Sequence, residues 1–408
     1  MNIKNITVRQ IFDSRGEPTI EVRGGNPLVS ASVPSGKSRG SREAKVFSFH
    51  EAAESVKKIN KKIGGRNFTS ARELDGALIR LDGTANKSRL GGNVTLAVSM
   101  FGVRALAAER GQEVWRVLRE EFFRGAKDEA PFIFSNLING GAHAANNLDI
   151  QEYMAVVRPT RAGSQGIAES IKALVHLYKE LGIIFKKTHG IETIPIGDEG
   201  GYSLNFRSNF EPIAVLGKLI KKLHLENRFF LALDAAAGEF SLPAKALRGG
   251  GGNGAYRFGG KRFSSEQLAA LYARYFKRSK LLFSVEDPFA ERDIGGFQLI
   301  REKLPSLWIV GDDLTATNPA VIQKCAHEET VNAVIIKPNQ IGTVGEACEA
   351  VAVAKKHKLK TIVSHRSGET DDTFIIHLAK ASGADGVKIG APTRERISKF
   401  NEMMRIYG

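Results

Sequence analysis

The chain has 408 residues, 42% apolar and 25% charged, with 59 lysines and arginines against 44 aspartates and glutamates. That composition suits a soluble globule with a large core, and the length favours two domains. No apolar run nears the roughly 20 residues needed to span a bilayer, and the start MNIKNITVRQIF lacks a signal peptide's apolar region. Cys325 and Cys348 form no CxxC, which argues against a disulfide scaffold or zinc site and for a reducing cytoplasm. The net charge of +15 raises polyanion binding as a function. The basic residues scatter over helix faces, as at Lys57, Lys58, Lys61 and Lys62 or Lys218, Lys221 and Lys222, without a recognition motif. A solvated surface is the plainer reading, with weak polyanion binding through it left open.

Residues 7–33 read as a strand meander: TVRQIF, the turn DSRGEP, TIEVR, a Gly-Gly-Asn-Pro turn and LVSASV. The polar loop Pro34–Gly40, PSGKSRG, follows, and such loops often carry function. Apolar residues at helical spacing predict helices at about 51–63, 70–81 and 94–110. Residues 1–125 therefore read as an α+β domain. Arg124–Pro131 reads as a linker to a second domain, 126–408. FIFSNLINGG opens that domain as a strand, and a helix at about 164–186 precedes TIPIGDEGG. In the glycine-rich stretch Arg248–Gly260, Gly249, Gly251 and Gly254 match GxGxxG. That motif needs a strand before it and a helix after it, so the stretch reads as a flexible surface loop.

Further on, apolar runs end in charged residues. Asp234 follows LAL, Glu286 and Asp287 follow FSV, and Asp312-Asp313 follows WIVG. Lys337 follows AVII, His365-Arg366 follows TIVS, and Lys388 lies in GVKIG. Buried parallel strands read as continuous apolar runs. The spacing is about 25 residues, the length of a strand, a helix and two loops, except for a doubled interval between Asp234 and Glu286. The pattern predicts a (β/α) barrel with polar groups at the strands' carboxyl ends, where such barrels build active sites.

Clustered, Asp234, Glu286 and Asp312 would repel one another, and a hard divalent cation such as Mg²⁺ relieves that. Three separate salt bridges are the structural alternative. Lys337 suits a base if its pKa is lowered. Glu199 and Glu152, read as coming from earlier strands, would lie across the barrel from it. A base on one side and a carboxylic acid on the other suits removing a proton from one carbon and a hydroxyl from its neighbour. Arg366 beside Ser367 suits gripping a phosphate or carboxylate. His143 and His365 fit an assisting or a purely structural role.

The segments FDSRGEPTIEV, VPSGKSRG, NGGAHA, LDIQEYM, GDEGG, LDAAAGEF, VEDPF, GDDLTATN, KPNQIGT, VSHRSGETDDTF and KIGAP span nearly the whole chain. In that order they resemble enolase (phosphopyruvate hydratase), most specifically through GDDLTATN, KPNQIGT and VSHRSGET. The resemblance implies an N-terminal α+β capping domain and an enolase-type modified (β/α)8 barrel that begins with an antiparallel strand pair. It implies a lyase of glycolysis and gluconeogenesis that reversibly dehydrates 2-phosphoglycerate to phosphoenolpyruvate. It also implies two Mg²⁺ per active site and a cytoplasmic homodimer or higher homo-oligomer. Asp234, Glu286 and Asp312 would hold one Mg²⁺, and Ser38 would complete the second on the substrate phosphate. Lys337 would take the α-proton, and Glu199, supported by Glu152, would help hydroxide leave. Lys388 would face the substrate carboxylate with Gln151 close by. Arg366 and Ser367 would hold the phosphate, and His143 and His365 would close over the substrate. Branches resembling mandelate racemase or muconate cycloisomerase carry a KxK pair or a His-Asp dyad. Lys337-Pro338-Asn339 is no KxK, and Arg366 beside His365 favours a phosphorylated substrate.

The loop commonly reads SGAST in that family. Here SGKSR sets Lys37 beside Ser38 and Arg39 after it, which predicts altered metal dependence. The strong basic charge and the segment SREAKVFSFH also depart from the family pattern. Two rivals therefore stand beside a working enolase: a divergent enolase-like protein of weak activity, and a polyanion- or RNA-binding protein on an enolase scaffold.

Overall fold

Strands β1 (Thr7–Phe12), β2 (Pro18–Gly24) and β3 (Val29–Ser32) form an antiparallel sheet in that order. The computed structural model describes residues 1, 3, 5–25, 28–37, 40, 42–159, 164–243 and 254–407. Asp13 closes the turn after β1 by accepting the backbone N–H of Arg15 (2.8 Å) and of Glu17 (3.0 Å). Helices α1 (Phe49–Ile63), α2 (Ala71–Asp82), α3 (Gly92–Arg110) and α4 (Val114–Phe122) follow. Ser48 starts α1 through a capping box with Glu51, and Ser70 caps α2. α3 is apolar around most of its circumference because the sheet packs on one side and helices of the second half on the other. α4 goes beyond the sequence expectation. Only Val117 and Leu118 of its 9 residues are buried, too few to display a helical period.

The second half opens with β4 (Phe132–Asn139) and β5 (Glu152–Val157), an antiparallel pair, then α5 (Ser164–His189) and α6 (Glu211–Lys222). β6 (Phe229–Asp234) runs antiparallel to β5. A small sheet, β7 (Ser241–Leu242), β8 (Ala255–Phe258) and β9 (Lys261–Ser264), precedes α7 (Ser265–Phe276). Strands and helices then alternate: β10 (Leu282–Glu286), α8 (Ile294–Lys303), β11 (Trp308–Gly311), α9 (Pro319–His327) and β12 (Ala333–Ile336). α10 (Pro338–Ile341), α11 (Val344–Lys356), β13 (Lys360–Ser364), α12 (Phe374–Ser382), β14 (Gly386–Ile389) and α13 (Ile397–Ile406) complete the chain. Eight of these strands close a barrel in the order β4-β5-β6-β10-β11-β12-β13-β14, and every pair not involving β5 is parallel. The architecture is an enolase-type barrel carrying an N-terminal antiparallel sheet with helices.

The β7–β9 sheet accounts for the doubled interval. Over the described part, 254–260, it also corrects the reading of 248–260 as a surface loop. Ala255, Tyr256 and Phe258 are buried, and Gly259 and Gly260 turn the hairpin with φ of +57° and +74°. A two-residue turn of that hand needs positive φ at both positions, which glycine supplies freely. Gly254 leads into a strand, so the GxGxxG match is no dinucleotide motif; Gly249 and Gly251 lie outside the described residues. At the barrel's amino-terminal end, Phe132, Phe230, Phe283 and Trp308 interlock with ring centroids 4.6 to 6.5 Å apart. This aromatic plug leaves the carboxyl ends of the strands as the polar end of the barrel. Among the described residues no helix is long and apolar enough to cross a membrane.

Asp75 of α2 is buried where the two halves meet, and it accepts the N–H of Gly345 in the first turn of α11 (2.6 Å). Burial raises its carboxyl to about 7. The folded chain then keeps a proton that the unfolded chain releases near pH 4. The group therefore costs stability as pH rises from about 4 to about 7, by up to roughly 1.4 kcal/mol per pH unit, and costs nothing further above that. Asp75→Asn removes this penalty, so its Tm relative to the wild type should rise between about pH 4 and about pH 7 and level off above that. Parallel Tm curves would contradict it.

Candidate active site at the barrel mouth

Three carboxylates stand in one row across the mouth. Glu152, Asp234 and Glu286 are register partners on β5, β6 and β10. Glu152 joins the row because β5 runs backwards, which brings its first residue to the end where its neighbours finish. Asp312 follows β11, Lys337 follows β12, His365 to Ser367 follow β13, and Lys388 lies in β14 opposite Ser364. Glu199 corrects an expectation. It lies in the loop between α5 and α6, not on a strand. Pro195 removes a ladder donor there, leaving only isolated bridges of Tyr202 to Ile196 and Ile138.

Lys388 serves the whole row. Its ammonium is 2.7 Å from Glu286, 3.0 Å from Asp234 and 3.2 Å from Glu152. Burial pulls Lys388 down, but these carboxylates outweigh it and hold the group well above its usual range. Lys337 donates to Asp312. Burial pulls Lys337 down too, and Asp312 again outweighs it, so its pKa is raised where the sequence reading asked for a lowered one. The other oxygen of Asp312 accepts from Gln340 (2.9 Å). Asp287 positions this carboxylate pair by accepting the backbone N–H of Asp312 (3.0 Å) and Asp313 (2.7 Å). It does so at φ +37°, a strained conformation for a non-glycine residue that persists only where its surroundings fix it.

Across the cavity, Glu199 accepts from the Asn136 amide (2.8 Å) and stands 3.5 Å from His143 and 3.6 Å from His365. Burial raises Glu152 well above the usual carboxyl range, and the charge of Glu199 adds to this. Burial holds the His365 imidazole well below its usual value, hence neutral. Two like-charged buried carboxyls titrate as a pair and readily keep one proton between them. Arg366 grips Glu43 with both ends of its fork, at 3.0 and 3.1 Å, and donates to Asn339 (3.2 Å). The Gly36 backbone lies against that guanidinium so closely that any side chain would collide with it. Ser367 accepts the backbone N–H of Lys37 (2.9 Å). Gln151 lines the cavity beside Glu152. Ser38 lies outside the described residues. Glu43, Asn136, Asp287 and Gln340 escaped the sequence reading as site residues, because their importance comes from partners distant in the chain.

The donor set suits a hard divalent cation. The buried carboxyls outnumber the cations Lys337, Lys388 and Arg366. Burial, with the charge of Asp234, pushes Glu286 well above its usual range. One Glu286 oxygen is buried without a hydrogen-bond partner among the described residues. Oxygen-only ligands fit Mg²⁺. Lys388 reaches both Asp234 and Glu286, and Lys337 takes Asp312, so the lysines hold the carboxylates that a cation would take. Among the described residues, two groups bring their possible ligand atoms within 4.8 Å of one another: Asp287, Asp312 and Asp313, and His143, Glu152 and Glu199.

Residues 3–118 match the family model of the enolase N-terminal domain, and residues 128–408 that of the enolase C-terminal TIM barrel domain. The chain belongs to the enolase family. It is 37% identical to the enolase of Methanocaldococcus jannaschii over 99% of this chain and 94% of that one. The enolase of Methanopyrus kandleri is also 37% identical, over 99% and 95% of the two chains. Enolase 2 of Lactobacillus johnsonii is 35% identical, over 99% and 94%. Both halves of this enolase-family chain face the mouth, and the Glu43–Arg366 pair joins them there. Glu43→Ala leaves a buried guanidinium without its fork partner and should lower unfolding stability by about 3 kcal/mol. Urea unfolding measures this, and a change below about 0.5 kcal/mol would contradict it.

Proposed function

We propose that this chain catalyses the reversible dehydration of 2-phosphoglycerate to phosphoenolpyruvate. The observation that carries the reading is that Lys337 lines the same cavity as the Glu152–Glu199 pair. Lys337 donates to Asp312 here; once Asp312 is drawn off it and its ammonium has released a proton to water, the neutral amine takes the proton from the carbon beside the substrate carboxylate. Negative charge then grows on that carboxylate, and Lys388, with Gln151 nearby, stabilises it where it develops. The proton that the pair holds on the raised Glu152 passes by way of Glu199, which His143 and His365 keep ionised against the pull of burial, to the departing hydroxyl. Arg366 and Ser367 hold the phosphate, while His143 and His365 wall off the reacting carbons. Asp234, Glu286 and Asp312 would hold one Mg²⁺, and Ser38 would contribute to a second. When bound, the metal supplies positive charge that takes these carboxylates over from the lysines and neutralises the substrate carboxylate. Residues 1–125 cap the site and 126–408 form the catalytic barrel. The protein works as a cytoplasmic homodimer or larger homo-oligomer in glycolysis and gluconeogenesis.

The test is phosphoenolpyruvate formation from 2-phosphoglycerate, followed by absorbance. Turnover should require Mg²⁺ and stop on chelation. Lys337→Ala should lower kcat by about 10²- to 10⁴-fold in folded protein. Undiminished turnover in Lys337→Ala would overturn the reading, as would no turnover by the wild type at any magnesium level.

A further inference from the structure

Glu199 stands on the loop between α5 and α6, so no barrel strand aims it. Its carbonyl accepts the N–H of Ala391 (2.9 Å), which fixes the backbone and leaves the side-chain torsions free. The His143 and His365 nitrogens face one carboxylate oxygen, Oε1, at 3.5 and 3.6 Å, long for hydrogen bonds. The other oxygen, Oε2, accepts the Asn136 amide N–H at 2.8 Å. That short contact is what orients the carboxylate.

β4 is shaped to make this contact. Asn136 pairs with Met154 of β5 and Ile138 with Tyr153, so Leu137 is an extra residue in β4, a bulge. Leu137 and Ile138 both pack into the main apolar core. Residues three apart on a regular strand point to opposite faces. The bulge lets Asn136 and Asn139 serve the same loop, as bulges beside active sites commonly do. Asn139 accepts the Gly201 N–H (3.0 Å) through its side-chain oxygen, and Asn136 takes Glu199. Asn136 is fully buried, and its Oδ1 has no hydrogen-bond partner among the described residues. An unpaired buried oxygen costs stability that an apolar residue would not. The fold alone gives no reason to bear that cost, and the N–H held on Glu199 does.

We propose that Asn136 is the positioning residue for Glu199, its N–H occupying Oε2 so that Oε1 is the oxygen that receives and delivers the proton. An oxygen that accepts an N–H is a poor seat for a proton, because a hydroxyl there would set two hydrogens against each other. The Oε1 side is also the side that meets Glu152. His143 Nδ1 stands 3.5 Å from Glu199 Oε1 and 3.9 Å from Glu152 Oε1. Asn136 does not line the cavity at the mouth; it acts through Glu199 and touches no reacting atom. Its role in proton delivery rests on the proposed function, while its hold on the carboxylate stands on the geometry.

Asn136→Leu keeps the size of the side chain and removes the donor. In the full-length protein it should lower kcat for 2-phosphoglycerate by about 10- to 100-fold, as misplacing a reacting group does. KM should stay within about twofold, because Arg366, Ser367 and Lys388 are untouched. Wild-type kcat in the folded variant, or a loss carried by KM alone, would overturn the proposal. Should Asn136→Leu not fold, Asn136→Ala, which adds no bulk to the barrel, decides by the same two constants. Crystal structures of the wild type and the folded variant give a second readout that needs no turnover. The Glu199 carboxylate should rotate in the variant while Glu152 and Lys388 stay in place, and an unmoved carboxylate would overturn the proposal. If the wild type fails to turn over 2-phosphoglycerate, the proposed reaction falls and the structures still decide whether Asn136 positions Glu199.

Discussion

A row of buried carboxylates that repel one another is the constraint the rest of the structure answers. Glu152, Asp234 and Glu286 share a single lysine, Lys388, and Asp312 leans on another, Lys337. Burying such charges costs several kcal/mol each unless partners are fixed in place. The barrel register supplies that fixity by making the first three direct neighbours. Asp287 adds to it through a backbone held at φ +37°. The aromatic plug at the other end provides a rigid apolar base for an acidic mouth. Acidity in excess of the available cations is also what makes the site receptive to a divalent ion.

The barrel does not complete the site by itself. Arg366 takes its fork partner from Glu43, Ser367 meets the backbone of Lys37, and the chain after Arg366 is tied to Ser14 and Ser35. The N-terminal half thus contributes geometry and charge balance at the mouth. The Lys37–Asp198 ion pair belongs to the same seam.

The charged strand ends were legible because strands buried on both faces leave long apolar runs, against which a terminal Asp, Glu or Lys stands out. The meander and the first three helices were legible from turn chemistry and helical period. Strand direction leaves no trace in such a pattern, so β5 could not be seen to carry Glu152 on its first residue. Glu199 looked like a strand end because TIPI is apolar, but Pro195 breaks the ladder. The hairpin Ala255–Ser264 was hidden in a glycine-rich stretch whose two turn glycines resembled the rest. Asp287 was visible as a carboxylate beside Glu286. Its hold on Asp312 and Asp313, like that of Glu43 on Arg366, depends on contacts between residues far apart in sequence.

Calorimetric titration of Mg²⁺ into the full chain addresses the carboxylate row most directly. Saturable binding is predicted, weakened by about tenfold or more in Glu286→Gln and in Asp312→Asn. Absence of binding by the wild type, or wild-type affinity in both variants, would contradict a site built to hold a cation on these carboxylates.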